Sequence, residues 1–214
     1  MNVVLLHAFP LDERMWSPQL PVLEGHDVVA PNLYDLGGNS VDDWAAQILE
    51  QVDGDLVAVG ASMGGYVALA MARQAPERVR GLVLAGSRAG SDSPERRAAR
   101  DDSIRILREE GIDAWKSEAP APPPPERTVD ELVRATEALR DRPDATDVVR
   151  AYAGPLALVV GDRDEILGVD EAREIVGLAP DGRLYVLEDV GHFASIERPK
   201  RFNEILSALL EAAG

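Results

Sequence analysis

The chain of 214 residues contains no cysteine. Without thiols there is no disulfide framework, no thiolate zinc site and no cysteine nucleophile. Positive charge is also scarce: 22 Lys+Arg stand against 38 Asp+Glu, a formal net charge of −16. Nucleic acid and anionic membrane surfaces both demand clustered basic residues, so neither is expected as a partner. No apolar run approaches the ~20 residues of a membrane-spanning helix. The opening stretch Met1-Asn2-Val3-Val4-Leu5-Leu6 has no basic flank and no small-residue cleavage site. It reads as a strand rather than a signal peptide, and the cytoplasm is the expected compartment. Histidine is limited to His7, His26 and His192, with no H-E-x-x-H spacing, so neither a metal nor any other cofactor is expected.

What is present is ordinary globular material, 45% hydrophobic and 28% charged. Short continuous apolar runs at 3–6, 27–30, 56–59, 81–85, 156–160 and 184–187 are bounded by Gly, Asp or Pro. Continuous rather than alternating runs predict strands covered on both faces, as in a parallel sheet. Helix patterns lie between them at 41–51, 65–74, 170–178 and 199–213. The alternation predicts an α/β sheet flanked by helices. Residues 91–150 break it. They contain no strand-like run, hold half of the basic residues, and show helix patterns at 94–110 and 129–140. Between these, Pro120 and the run Pro122-Pro123-Pro124-Pro125 favour polyproline II and read as a stiff connector.

The most specific signal is Gly60-Ala61-Ser62-Met63-Gly64, placed between a strand and a helix. This G-x-S-x-G pattern in that context describes a turn so sharp that its serine is strained and exposed at the sheet's end. The flanking glycines leave the space that a β-carbon would fill. A serine hydroxyl needs a base to become nucleophilic. His192, in Gly191-His192-Phe193 after the last strand, falls on the same sheet edge and is the candidate base. His26 sits in a turn-like stretch. The base needs a carboxylate behind it, and Gly161-Asp162-Arg163-Asp164 after the fifth strand offers Asp162 and Asp164.

These stretches, with His7-Ala8-Phe9-Pro10-Leu11-Asp12, Arg142-Pro143-Asp144 and Glu197-Arg198-Pro199, resemble the α/β-hydrolase superfamily. The nearest branch is that of small lidded esterases, enol-lactonases and cofactor-free haloperoxidases. The resemblance implies an open, mostly parallel sheet of about six strands. It divides the chain into a core at 1–90 and 151–214 and a helical lid at 91–150. It selects Asp164 as the acid, gives the oxyanion hole to the backbone N–H groups of Phe9 and Met63, and makes His7 a structural residue. Members usually carry a β-hairpin ahead of the first strand seen here. The expectation is therefore a sheet lacking that edge hairpin, or a natural start upstream.

The function implied is cofactor-free hydrolysis of a small-molecule ester or lactone by Ser62, His192 and Asp164. Lactone hydrolysis or perhydrolysis would use the same triad. A non-catalytic ligand-binding relative is the alternative of another class. A serine at the elbow argues against the aspartate-nucleophile dehalogenases and epoxide hydrolases. Trp115, Leu132, Val133 and Leu139 are the candidate substrate contacts, as apolar residues on the insert's helical faces. Nothing in the sequence sets the oligomeric state.

Overall fold

The computed structural model describes residues 1–118 and 126–214, so the expected polyproline connector lies outside the described residues. The strands are β1 (Asn2–Leu6), β2 (Asp27–Val29), β3 (Leu56–Ala61), β4 (Val79–Ala85), β5 (Leu156–Gly161) and β6 (Gly182–Leu187). Among the described residues they form one six-stranded sheet in the order β2-β1-β3-β4-β5-β6, and every pairing is parallel. Parallel neighbours need crossover connections, which is why helices separate the strands in sequence.

Successive strand residues point to opposite faces, and here both faces are apolar. Val4, Leu6, Ala58, Leu82, Leu84, Leu158 and Val160 join one core cluster. Val3, Leu5, Val57, Val59, Val83, Ala157 and Val159 join the other. The first face is covered by α1 (Val41–Gln51), α2 (Met63–Gln74) and α7 (Val169–Val176). The second is covered by the short α8 (Ala194–Glu197), by α9 (Pro199–Ala213), and by two 3₁₀ turns at Glu13–Trp16 and Leu20–Leu23. The outermost strands depart from the expectation of full coverage. β2 and β6 are mostly half-buried or exposed, and Val186 is 41% exposed, because an edge strand lacks a neighbour on one side.

Four helices interrupt the β4–β5 crossover: α3 (Pro94–Glu109), α4 (Ile112–Glu118), α5 (Val129–Asp141) and α6 (Thr146–Ala151). Thr128 and Glu131 form a reciprocal capping box that starts α5. Ser93 caps α3 by accepting the Arg96 N–H. The first three helices pack around a cluster of their own: Ile104, Ile106, Leu107, Trp115, Leu132 and Val133. Further along α5, Ala135, Ala138 and Leu139 join the main core. Its Arg134 donates to the Leu36 carbonyl at 2.8 Å and to the Tyr34 carbonyl. α6 behaves differently. Val148 and Val149 are core residues, and the helix packs against α2 and α7. The last turn of the 91–150 stretch is thus part of the layer that covers the sheet.

Candidate active site

The loops after β1, β3, β5 and β6 converge on one cavity of about 640 Å³. Ser62 occupies the turn between β3 and α2 with φ 47° and ψ −109°, a left-handed conformation that a non-glycine residue adopts only under strain. The surroundings hold it there. Its N–H donates to the Ala85 carbonyl at 2.8 Å, and its carbonyl accepts from Gly65 N–H and Ser87 Oγ, each at 3.0 Å. A β-carbon on Gly60 would lie 2.3 Å from the Gly64 carbonyl oxygen, and one on Gly64 would lie 2.0 Å from that of Leu6. These are backbone atoms that cannot step aside, so both glycines are required by the path of the turn. Gly65 leaves its space to Ser87 Oγ, which a β-carbon would approach to 2.0 Å.

His192 Nδ1 lies 3.0 and 2.9 Å from the two carboxylate oxygens of Asp164. The Asp164 side chain is fully buried and its Oδ1 also accepts from the N–H groups of Ile166 (2.8 Å) and Leu167 (3.0 Å). Asp164 accepts throughout, so Nδ1 carries the ring hydrogen and Nε2 is the free basic nitrogen. Asp162 does something else. It is exposed, and its Oδ1 accepts from Val190 N–H at 3.3 Å, while its own N–H donates to Leu187 at 3.0 Å. It braces the β5 loop against the β6 loop and does not touch the histidine.

Ser62, His192 and Phe9 line the same cavity. Met63 is the first residue of α2, where a helix N–H has no intrahelical acceptor and the dipole favours negative charge. Of the four apolar candidates in the insert, Trp115 and Leu139 line the cavity; Trp115 also meets Phe9 edge-on, with ring centroids 5.6 Å apart. Leu132 and Val133 do not line it. They join Ile104 and Leu107 in the insert's own cluster, because they lie in the first turn and a half of α5, two turns before Leu139. His7 is fully buried. Leu33 N–H donates to its Nε2 at 2.8 Å and its Nδ1 reaches the Ala8 carbonyl at 3.1 Å, which ties the Phe9 loop to the loop after β2. Burial lowers its pKa to about 4, so the ring is neutral near pH 7.

Several residues that surround the site have places there that the motifs did not assign. Gly86, at φ 61° just past β4, is one: a β-carbon there would lie 2.9 Å from His192 Cε1 and 3.2 Å from Asp164 Oδ2. Its position directly after a strand on the elbow's edge was the available signal. Glu197 is another. Its carboxylate accepts the N–H groups of Gly191 (2.7 Å) and Phe193 (2.9 Å), which clamps the residues on either side of His192. Tyr66, Arg100, Ile106, Thr136, Arg163 and Ile166 complete much of the wall. Among the described residues, no group of three or more His, Cys, Asp or Glu side chains has the arrangement of a metal site.

A strand–serine–helix turn and a histidine–aspartate pair on one edge of a parallel sheet define a class of hydrolase fold. A model of the alpha/beta hydrolase family matches residues 3–205, and the chain belongs to that family. Over 92 residues it is 37% identical to the pimeloyl-[acyl-carrier protein] methyl ester esterase of Aromatoleum aromaticum, covering 40% of this chain and 37% of that one. Over 189 residues it is 28% identical to the 2-hydroxymuconate semialdehyde hydrolase of Pseudomonas putida, covering 75% of this chain and 63% of that one. The matched part therefore spans less than two thirds of either relative. A thermophilic esterase from Thermogutta terrifontis superposes with a TM-score of 0.84 at 27% identity, over 100% of this chain and 90% of that one. The enol-lactonase of Burkholderia xenovorans LB400 shares the fold, with a TM-score of 0.83 at 20% identity over 98% and 91% of the two chains. The superfamily and sheet implied by the motifs are the ones found. No helix among the described residues is long and apolar enough to cross a membrane.

Proposed function

We propose that the protein is a serine hydrolase that cleaves a carboxylic ester of a small molecule through an acyl-enzyme. The observation that carries this reading is that a strained Ser62 and the His192–Asp164 couple line one cavity. Ser62 Oγ attacks the ester carbonyl while His192 Nε2 takes its proton. Asp164 stabilises the imidazolium that forms. The tetrahedral oxyanion is held by the N–H groups of Met63 and Phe9, each such donor being worth about 10²–10³ in rate. His192 then gives its proton to the leaving alcohol as the C–O bond breaks. Water, deprotonated by the same nitrogen, attacks the acyl-enzyme; the bond to Ser62 Oγ breaks, Nε2 returns its proton to that oxygen, and the acid leaves. That one relative is named as a methyl ester esterase and one structural neighbour as an esterase supports the choice of bond.

The helices α3–α5 act in this reading as a lid that shapes the acyl site through Trp115 and Leu139. In this reading α6, which packs against α2 and α7, is counted with the core, and the lid ends with α5. The test is covalent capture by a fluorophosphonate together with turnover of chromogenic esters. A protein that hydrolyses no ester and takes up no probe is not this enzyme.

A further inference from the structure

Arg100 differs from the other charged residues around the cavity. Its side chain on α3 is 25% exposed, against 69% for Arg163, which also lines the cavity and is already paired with Asp189. Arg100 is gripped from behind: its Nε donates to Asp92 Oδ2 at 2.5 Å, and the Asp92 side chain is 1% exposed. Asp92 also meets Arg142 at 2.8 Å. Arg142 is buried, donates to the Leu139 and Gly90 carbonyls, and lies over the ring of Tyr66, another cavity residue. Burial alone would raise the Asp92 carboxyl, but the two guanidinium groups hold it below the usual carboxylate range. Two arginines against one carboxylate leave a formal charge of one positive unit beside the cavity.

Among the described residues, no acid of the wall lies within ion-pair distance of Arg100. Glu197 is engaged by the N–H groups of Gly191 and Phe193, Asp102 faces Arg105 at 4.0 Å, and Glu165 is exposed with no partner among the described residues. Among the described residues, the terminal nitrogens of Arg100 have no hydrogen-bond partner. A part-buried charge with spare donors is costly unless a counter-charge arrives. With Nε taken, the remaining Nη1/Nη2 face of the guanidinium matches the two oxygens of a carboxylate.

We infer that Arg100 receives a carboxylate borne by the acyl part of the substrate, so that the ester cleaved is a half-ester of a dicarboxylic acid. The inference rests on the esterase reading of Ser62 and deepens it. One unit of charge suits one carboxylate; a phosphate dianion would bring a second negative charge into a wall that already holds Glu165, Asp102 and Glu197. The apolar residues Tyr66, Ile106 and Leu139 suit the methylene chain of such an acid.

The experiment compares methyl half-esters of linear dicarboxylic acids with methyl esters of equal length that end in a neutral amide. For the wild-type protein, kcat/KM should favour the half-ester at least about tenfold at the best chain length, the equivalent of roughly 1.4 kcal/mol. In Arg100→Gln that ratio should fall to about one or below, and Arg100→Lys should restore part of it; unfolding midpoints check that each variant is folded. Calorimetry on Ser62→Ala gives a readout without turnover: half-ester should bind more tightly than amide ester, and the difference should vanish in Ser62→Ala/Arg100→Gln. A wild-type ratio near one at every length, with esters still cleaved, overturns the carboxylate and leaves the esterase. Selective half-ester binding to Ser62→Ala without turnover of any ester by the wild type supports the anion site and overturns the esterase. Inorganic phosphate displacing the half-ester as well as glutarate does would overturn the choice of carboxylate.

Discussion

The catalytic edge and the helical insert sit face to face across one cavity and are built by different means. At the edge, positions are dictated by backbone. Ser62 is fixed by main-chain hydrogen bonds to Ala85 and Gly65, and Asp164 accepts two backbone N–H groups before it meets His192. The glycines there are places where backbone, Ser87 Oγ or the His192 ring occupies the space of a side chain. In the insert, side chains hold the helices together. Arg97 pairs with Asp141 (2.8 Å), Arg108 with Glu137 (2.8 Å) and Arg140 with Asp101 (2.7 Å), around a small apolar cluster. Such part-exposed pairs are worth about 0–1 kcal/mol each. In the proposed reading, the difference teaches where change is tolerated: the Ser62–His192–Asp164 edge is anchored in backbone, whereas the wall opposite is made of exchangeable side chains.

The sharpest way to break this contrast is at the acid. Asp164→Asn should lower kcat by about 10⁴, the scale seen when a triad acid is replaced and the histidine takes the wrong tautomer. Asp162→Asn, which touches only the Val190 N–H, should cost far less. Steady-state rates of the two variants decide it, and a larger loss from Asp162→Asn would reverse the assignment. Next is Gly86→Ala. Its β-carbon would press on His192 at 2.9 Å from a left-handed backbone, and a displacement of about 1 Å at such a site costs roughly 10²-fold in rate. A fully active Gly86→Ala protein would mean that the histidine need not stand where it does.

The pH dependence of stability probes the same edge from beneath. Unfolded, His7 binds a proton below about 6.5, whereas the buried ring does so only below about 4. Between those values the unfolded chain holds more protons, so stability falls as pH drops from about 6.5 to 4, by about 3 kcal/mol from this group. Denaturant titrations across that window should show a shallower slope for His7→Gln. An unchanged slope would place the effect elsewhere. The smallest effects belong to the insert. Leu139→Ala, on the cavity wall, should shift acyl-chain preference by about 10- to 100-fold, since a methylene contact is worth about 1–3 kcal/mol at most. Leu132→Ala should leave the profile alone and instead destabilise by about 2–5 kcal/mol, as a core truncation does. The opposite pattern in ester profiles and unfolding curves would exchange their roles.

The same contrast explains what could be read in the sequence. Gly60-Ala61-Ser62-Met63-Gly64, Gly161-Asp162-Arg163-Asp164 and Gly191-His192-Phe193 were legible because each is a local backbone requirement next to a strand end. The choice between Asp162 and Asp164 needed the resemblance to a family, since either carboxylate can follow the strand. In the insert, helical spacing marks Leu132, Val133 and Leu139 as buried but not against what. Leu132 turns toward α3, and Leu139, two turns on, toward the cavity and the main core. The six-residue α6 and seven-residue α4 are too short to show a period. Arg100 carries no signal in the sequence, because its partner Asp92 lies eight residues back, outside the i,i+3 and i,i+4 spacing that marks a helical pair.

The central claim is that the strained Ser62 is the nucleophile, and its most direct test is intact-protein and peptide mass spectrometry after exposure to a fluorophosphonate. The account predicts one adduct, located on Ser62, absent from Ser62→Ala, with ester turnover in that variant reduced by about 10⁶. A Ser62→Ala protein that is still labelled and still cleaves the esters of its parent would contradict it.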